Sequence, residues 1–262
     1  MNKKVYTLLV VFLMLLFAFP AFAISNGEPD GDGHPNVGAF AVQVDGTKFL
    51  VCSGTLISPT VFLTAGHCTS FLHPSGFNEV YVTFDSEFAQ SGNFIVSNEF
   101  YTHPNFGHDL GNLYDLAVII LPEGSTDGLT PATLPEEGLL DDLAAKGGLR
   151  GASIVNVGYG TVPDWKQAPP RFNFDGVRRV STSPFMGLTK SWLKLLMNND
   201  ATNEGGVCFG DSGGPHFLQT EEGDVLVATT TGGDPVCRAL SYNYRLDIPG
   251  ARDFLDDFVS LP

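Results

Sequence analysis

The chain has 262 residues, of which 43% are hydrophobic and 16% are charged, and its formal net charge at pH 7 is −15. Nucleic acid and anionic membranes are poor partners for so acidic a protein, because both carry negative charge themselves. The length suits one large all-β domain or two small ones, with ample material for a core.

The segment before Ile24 is typical of a targeting sequence. Lys3 and Lys4 precede an apolar run at residues 8–19, and Pro20 separates that run from Ala-Phe-Ala at residues 21–23. This order is that of a secretory signal peptide with its cleavage site. A membrane anchor is the alternative, but the run is shorter than the roughly 20 apolar residues that span a bilayer. We therefore predict a secreted product, extracellular or periplasmic, that begins at Ile24 and has no membrane contact after cleavage.

Short apolar stretches between many glycines and prolines predict an all-β protein. The candidate strands are residues 40–44, 48–57, 80–84, 116–121, 153–157 and 225–230. Asp45-Gly46 between the first two predicts a hairpin turn. Helical spacing of apolar residues predicts two helices, over 189–197 and 249–259. In the first, the apolar residues are Trp192, Leu193, Leu195 and Leu196.

The four cysteines of an exported chain predict two disulfides. Proximity in the sequence favours Cys52–Cys68 and Cys208–Cys237 among the possible pairings. The chain has no C-x-x-C or H-x-x-x-H spacing. A zinc site is therefore not expected. We also predict no other metal ion and no cofactor.

Ser212 lies in a glycine-rich segment, GDSGGP at residues 210–215. A nucleophilic serine needs a base beside it and backbone N–H groups aimed at the oxyanion. Flanking glycines suit that task, because they let a substrate carbonyl approach the backbone. For this segment alone, an ordinary serine in a tight turn is the alternative.

Among six histidines, His67 is the best candidate for the base, because an apolar strand and a small-residue turn precede it in LTAGHC at residues 63–68. Asp115 directly precedes the predicted strand 116–121, so its carboxylate would be sheltered and could orient the imidazole. Asp109 is the rival candidate, but it lies in a segment that we expect to be a solvent-exposed loop. Surface or core roles are expected of the other histidines: His34, His73, His103, His108 and His216.

Three segments, LTAGHC (63–68), YDLAV (114–118) and GDSGGP (210–215), resemble the active-site blocks of the trypsin- and chymotrypsin-like serine proteases, in that family's order of His, Asp and Ser. The resemblance extends to CSGTLI (52–57) and GYGT (158–161), and so covers nearly all of residues 24–262. It implies two six-stranded antiparallel β-barrels, over about 24–140 and 150–247, followed by a C-terminal helix at about 249–259.

The same resemblance implies roles for the residues of the cleft between the barrels. His67, Asp115 and Ser212 would form the catalytic triad of a monomeric serine endopeptidase that acts on proteins or peptides. The N–H groups of Gly210 and Ser212 would form the oxyanion hole. Ile24 would be the new N-terminus, and its ammonium would pair with Asp211. We therefore expect signal-peptide cleavage itself to activate the protein.

For the primary specificity pocket, the resemblance places Gly206 where trypsin-type members have an aspartate. A basic P1 side chain would thus lack its counter-ion, and we predict an uncharged one. Tyr242 stands near a position that is often glycine and would make the pocket shallow. The remaining predicted lining residues are Val207, Phe209, Thr230, Thr231 and Gly232.

Two other functions compete with the peptidase. One is a catalytically silent protein of the same fold that binds or regulates a partner. The other is an esterase of the α/β-hydrolase type, because residues 210–214 match Gly-x-Ser-x-Gly. In such an esterase, the turn that carries the serine is followed directly by a helix, and the triad residues occur in the order Ser, Asp, His. This sequence has neither feature.

Overall fold

The computed structural model describes residues 24–109 and 111–262, so the predicted signal peptide at 1–23 lies outside the described residues. Their strands are β1 (Glu28–Pro29), β2 (Val37–Val44), β3 (Thr47–Ser58), β4 (Val61–Thr64), β5 (Val80–Thr83), β6 (Ile95–Ser97), β7 (Phe100–Thr102), β8 (Ala117–Ile120), β9 (Ser153–Gly158), β10 (Val162–Asp164), β11 (Arg171–Asn173), β12 (Arg179–Leu188), β13 (Trp192–Leu196), β14 (Pro215–Thr220), β15 (Gly223–Gly233) and β16 (Leu240–Arg245). The α-helices are α1 (Gly66–Thr69), α2 (Leu139–Ala145), α3 (Asn199–Thr202) and α4 (Pro249–Leu255). No helix among the described residues is both long and apolar enough to cross a membrane.

The strands form two large curved sheets, one in each half of the chain. The second has the order β1-β12-β13-β16-β15-β14-β9, and an additional pairing of β9 with β12 closes six of its strands into a barrel. The first has the order β6-β5-β2-β3-β4-β8-β7 and curls into a half-barrel. This architecture, with a short C-terminal helix, confirms the predicted chymotrypsin-like all-β fold.

The predicted hairpin between β2 and β3 is present, and its turn explains the sequence at that point. Asp45 and Gly46 both have positive φ angles, 49° and 80°. Two positive φ angles are what a two-residue turn of type I′ requires, and Asp-Gly accepts them readily. The turn fixes the register in which Val44 lies opposite Thr47.

The helix predicted over 189–197 is wrong, because residues Trp192–Leu196 form strand β13. This strand pairs on one side with β12 and on the other with β16, so both neighbours satisfy its backbone groups. Leu193 and Leu195 are fully buried, whereas Trp192, Lys194 and Leu196 are half-buried. Burial thus alternates as in a strand, and tertiary pairing overrides the helical spacing.

The two other helical regions also differ from the sequence-based boundaries. The C-terminal helix α4 begins at Pro249 as predicted but ends at Leu255 rather than at residue 259. Between the two halves of the chain lies an unpredicted helix, α2. Gly138 precedes α2 with a φ of 74°, a conformation that glycine adopts without strain.

Arg178 joins the two halves of the molecule. Its side chain is almost fully buried, and its guanidinium donates to the carbonyl oxygens of Val37 (3.0 Å) and Phe84 (2.9 Å) in the first half. Its Nε also donates to Asp30 at 2.8 Å. Because a buried guanidinium must be paired, these contacts hold the halves in one relative position.

Candidate active site

His67 and Asp115 meet because the strands that carry them are paired. His67 follows β4 in α1, and Asp115 lies just before β8, which pairs with β4 so that Leu63 opposes Val118. His67 Nδ1 lies 2.9 Å from Asp115 Oδ2, and the His67 backbone N–H donates to Oδ1 at 2.8 Å. The Asp115 side chain is 1% exposed and that of His67 is 37% exposed. The buried carboxylate therefore orients a ring that remains open to solvent.

The rival carboxylate, Asp109, does not reach this site. Asp109 is exposed and accepts a hydrogen bond from Gly111 N within its own loop. Three of the other histidines lie elsewhere: His34 contacts Asp30, His103 contacts the carbonyl of Gly250, and His216 is buried in the second barrel. Of these candidates, the structure brings His67 and Asp115 together.

The segment around Ser212 lies against the start of the loop that leads to His67. A Cβ on Gly213 would overlap Thr64 Oγ1 and lie 2.7 Å from Ala65 N. Gly213 also has a φ of 75°, so glycine is required there for both reasons. Only glycine lets the serine segment approach the end of β4 this closely.

Ser53, which the sequence analysis did not assign to the site, connects the serine segment to the first half. Its N–H donates to the carbonyl of Ser212 at 2.9 Å, and its hydroxyl donates to the carbonyl of Gly210 at 2.9 Å. The same hydroxyl accepts the N–H of Tyr159 at 3.0 Å. The segment CSGTLI that contains Ser53 is the sequence signal that points to this role.

The N–H groups of Gly210 and Ser212 donate no hydrogen bond to other described residues. Gly210 has a φ of 96°, which a residue with a side chain rarely adopts. An oxyanion requires backbone N–H groups that are not already hydrogen-bonded. Within the described part of the chain, no hydrogen bond joins the Ser212 hydroxyl to His67, whose Nε2 lies 3.6 Å from Cys68 Sγ.

Asp211 is a buried carboxylate with no ion-pair partner among the described residues. It accepts hydrogen bonds from the N–H groups of Gly160 and Cys208, both at 2.8 Å. Burial raises its pKa to about 7, although these two hydrogen bonds favour the charged form. A Cβ on Gly158 would overlap Oδ1, so glycine makes room for the carboxylate.

The N-terminal residues of the described chain are docked on the second half. Ile24 and Ser25 are fully buried. Ser25 pairs with Gly206, with backbone N···O distances of 2.9 and 3.0 Å in the two directions. The predicted N-terminal segment is therefore hydrogen-bonded to Gly206, shortly before the Ser212 segment in the sequence.

A cavity of 240 Å³ lies beside Ser212. Five of the predicted pocket residues line it, namely Val207, Phe209, Thr230, Thr231 and Gly232, together with Cys208, Gly233, Asp234 and Cys237. Gly206 is not among the lining residues. Tyr242 is not among the lining residues either, and the Lys194 ammonium lies 5.5 Å from its ring centroid. The expectation that Tyr242 makes the pocket shallow is therefore wrong.

Both predicted disulfides are present. Cys52–Cys68 lies beside His67, and Cys208–Cys237 joins two sides of the cavity. Cys52, His67 and Cys68 have potential ligand atoms within 4.8 Å of one another. Because a disulfide joins the two sulfur atoms, they are not thiolate ligands for a metal ion.

The fold is that of the trypsin-like serine peptidases. A family model described as Trypsin matches residues 31–249, so the chain belongs to that family. The chain is 25% identical to prostatic glandular kallikrein-6 of Rattus norvegicus over 251 residues, which cover 87% of this chain and 90% of the relative. It is also 28% identical to Trypsin 5G1 of Aedes aegypti over 151 residues, covering 48% of this chain and 55% of the relative.

Proposed function

We propose that the protein is a secreted serine endopeptidase in which His67, Asp115 and Ser212 form the catalytic triad. The observation that carries the proposal is the pairing of the half-exposed His67 ring with the buried Asp115 carboxylate, next to the glycine-rich serine segment. A carboxylate in that position keeps a proton on Nδ1 and leaves Nε2 free to accept one.

In the proposed reaction, Ser212 Oγ attacks the carbonyl carbon of the scissile peptide bond while His67 Nε2 takes the hydroxyl proton. The N–H groups of Gly210 and Ser212 stabilise the oxyanion. His67 then gives the proton to the leaving amine, and an acyl-enzyme on Ser212 remains. Water, deprotonated by His67, hydrolyses this ester and regenerates the serine. The hydrogen bond between Ser212 and His67 would form when substrate excludes water, since such bonds are often long or absent without substrate.

Activation is proposed to follow directly from cleavage after Ala23. The new Ile24 ammonium would pair with Asp211, a buried carboxylate that has two N–H donors and no ion-pair partner among the described residues. An ammonium there would stabilise the charged form of Asp211 and the neighbouring oxyanion donors. N-terminal sequencing of the secreted protein tests this, and a mature start at any other residue would contradict it.

For the primary pocket, we propose an uncharged P1 residue in a protein or peptide substrate. Gly206 brings no carboxylate to the cavity, and the Asp234 carboxylate accepts N–H groups of its own loop from Val236, Arg238, Ala239 and Leu240. A panel of peptides that varies only P1 tests the proposal, and a strong preference for Arg or Lys would contradict it.

Labelling with a fluorophosphonate probe is the decisive experiment for the triad. We expect rapid modification of Ser212, identified by mass spectrometry of the peptide, and its loss in Ser212→Ala and His67→Ala. Such labelling requires an activated serine and an oxyanion hole. If a folded protein that begins at Ile24 is not labelled, the proposal fails and a catalytically silent binding protein becomes the better explanation.

A further inference from the structure

The backbone just before Asp115 has an unusual conformation. Tyr114 has a φ of 50°, in the left-handed region that a residue with a bulky side chain rarely adopts. Its carbonyl accepts the N–H of Leu116 at 2.8 Å, so residues 114–116 form a three-residue turn with Asp115 at its centre. A strained conformation of this kind persists only where its surroundings hold it. The turn therefore depends on what holds Tyr114 in place.

This turn sets the direction in which the Asp115 side chain leaves the backbone. The carboxylate has two contacts with His67: Oδ1 accepts the backbone N–H at 2.8 Å, and Oδ2 lies 2.9 Å from ring Nδ1. Hydrogen bonds weaken steeply as their angles depart from linearity. A different backbone conformation at Tyr114 would therefore loosen at least one of the two contacts.

The Tyr114 ring packs against a histidine and against the start of helix α4. The ring centroids of Tyr114 and His103 are 4.7 Å apart, with an angle of 32° between the planes. A Cβ on Gly250 would lie 2.8 Å from Tyr114 Cε1, too close for the ring to stay where it is. Tyr114 is only half-buried and lines a cavity of 840 Å³, so its ring has room to move. The contacts with His103 and Gly250 are therefore what holds the ring.

His103 is itself fixed on two sides. Its backbone N–H donates to the carbonyl of Leu116 at 2.9 Å. The Asn105 N–H donates to His103 Nδ1 at 3.1 Å, so Nε2 carries the ring proton and donates to the Gly250 carbonyl at 3.0 Å. Burial lowers the pKa of His103 and so favours this neutral form. His103 thus joins the residue that follows Asp115 to helix α4.

We propose that Tyr114 is a positioning residue for Asp115. Its ring, packed on His103 and Gly250, maintains the left-handed backbone conformation. That conformation directs the Asp115 carboxylate towards both donors of His67. Tyr114 acts through the carboxylate and not on the substrate, so its loss lowers the rate of the chemical step more than it weakens substrate binding. This inference deepens the proposed function and rests on it.

The first test measures peptide hydrolysis by variants that remove or keep the ring. Tyr114→Ala removes the ring and should lower kcat by roughly ten- to hundred-fold, the range that a small misplacement of a catalytic group produces, while KM changes little. Tyr114→Phe keeps the ring and should keep kcat close to that of the wild type. Tyr101→Ala, at a tyrosine that is 43% exposed on strand β7, is the matched control and should leave kcat unchanged.

A second readout needs no catalysis. The hydrogen bond from His67 Nδ1 to the carboxylate is charge-assisted and short, and a proton in such a bond gives an NMR signal at low field. In a Ser212→Ala background, Tyr114→Ala should move this signal to higher field or abolish it, whereas Tyr114→Phe and Tyr101→Ala should not. A merely structural role of Tyr114 would lower the stability of the folded protein and leave the signal in place.

An unchanged His67 signal in folded Tyr114→Ala would overturn the positioning role whatever the activity, and so would equal losses of kcat in Tyr114→Ala and Tyr114→Phe. If Tyr114→Ala does not fold, Gly250→Ala takes its place: alanine suits a helix, and its Cβ would displace the ring. The same two outcomes are then expected of it, and an unchanged signal would again overturn the role. Absence of fluorophosphonate labelling in the wild-type protein would refute the peptidase, while the His67 signal would still decide whether Tyr114 positions Asp115.

Discussion

The His216 ring and the Thr230 hydroxyl form a buried hydrogen bond, with His216 Nε2 2.9 Å from Thr230 Oγ1. On its other side, His216 Nδ1 is 2.8 Å from Asn156 Oδ1. The Asn156 oxygen can only accept, so Nδ1 carries the proton and Nε2 accepts the Thr230 hydroxyl. The amide of Asn156 donates in turn to Ser183 Oγ at 2.8 Å.

This buried chain of hydrogen bonds joins the serine segment to the N-terminal docking site. The backbone of Thr230 pairs with Gly213 and Gly214, with N···O distances of 2.8 and 2.9 Å. At the other end, Ser183 donates to the carbonyl of Gly205 at 2.7 Å, next to the glycine that pairs with Ser25. A fully satisfied network in a barrel core is rigid, so it holds the serine segment and the region around Gly205 in fixed positions.

Thr230→Val should destabilise the protein by about 1–3 kcal/mol, because it leaves the buried Nε2 of His216 without a donor. Denaturant unfolding in a Ser212→Ala background, which prevents self-digestion, measures the free energy of unfolding. Thr47→Val at an exposed strand end is the control and should change it by less than about 0.5 kcal/mol. Equal effects of the two changes would contradict the role of the network.

His216 should also make stability depend on acidity. Burial lowers its pKa to about 3 from an ordinary value of 6.5. Between these values the unfolded chain binds more protons than the folded one, so the free energy of unfolding falls as pH decreases from about 6.5. His216→Gln should reduce this slope by up to about 1.4 kcal/mol per pH unit. His108→Gln, at an exposed residue, is the control, and unchanged slopes in both variants would refute the prediction.

In a protein that still carries residues before Ile24, Asp211 should make the free energy of unfolding depend on pH with the opposite sign. Burial raises its pKa to about 7 from 3.8, so the folded chain binds more protons between these values and stability falls as pH rises through them. Asp211→Asn should abolish this fall. In the protein that begins at Ile24, stability should fall less as pH rises, because the Ile24 ammonium would pair with the ionised Asp211 carboxylate. Urea unfolding between pH 4 and 8 measures the slopes, and identical slopes in both chains would exclude the ion pair.

Gly213→Ala should disrupt the active site more than other glycine replacements. The new Cβ would meet Thr64 Oγ1 and the backbone of Ala65, in addition to the strain of a positive φ. Gly46→Ala is a matched control, since Gly46 has a φ of 80° and nothing within 4 Å of its Cβ position. We expect about 1–2 kcal/mol of destabilisation for the control and about 1–3 kcal/mol more for Gly213→Ala, with loss of Ser212 labelling. Equal effects would show that the close approach is unimportant.

Asp115→Asn should lower kcat by about 10³–10⁴-fold while the fold is retained, because an amide at this position favours the wrong tautomer of His67. Asp109→Asn should leave kcat unchanged, since Asp109 is exposed and contacts its own loop. Peptide hydrolysis by the two purified variants measures the difference. A comparable loss in both would mean that Asp115 does not orient the base.

The sequence by itself determined the features that depend on local chemistry. Asp45-Gly46 predicts its hairpin because few other residues accept two positive φ angles. Both disulfides follow from four cysteines in a chain predicted to be exported. His67 and Asp115 could be chosen over Asp109 and the other histidines because each lies at the end of an apolar strand, where burial can hold a carboxylate against a ring.

Tertiary structure alone decided the rest, because contacts between distant segments override local patterns. Residues 192–196 have a spacing that fits a helix, yet they form a strand because β12 and β16 offer hydrogen bonds on both sides. Tyr242 lies on the outer face of β16, because neighbouring residues of a strand face opposite sides and the residues on both sides of it are buried. Met197 packs against Gly206 and Gly233 only in the folded chain, and no pattern in the sequence predicts that contact between three separate segments.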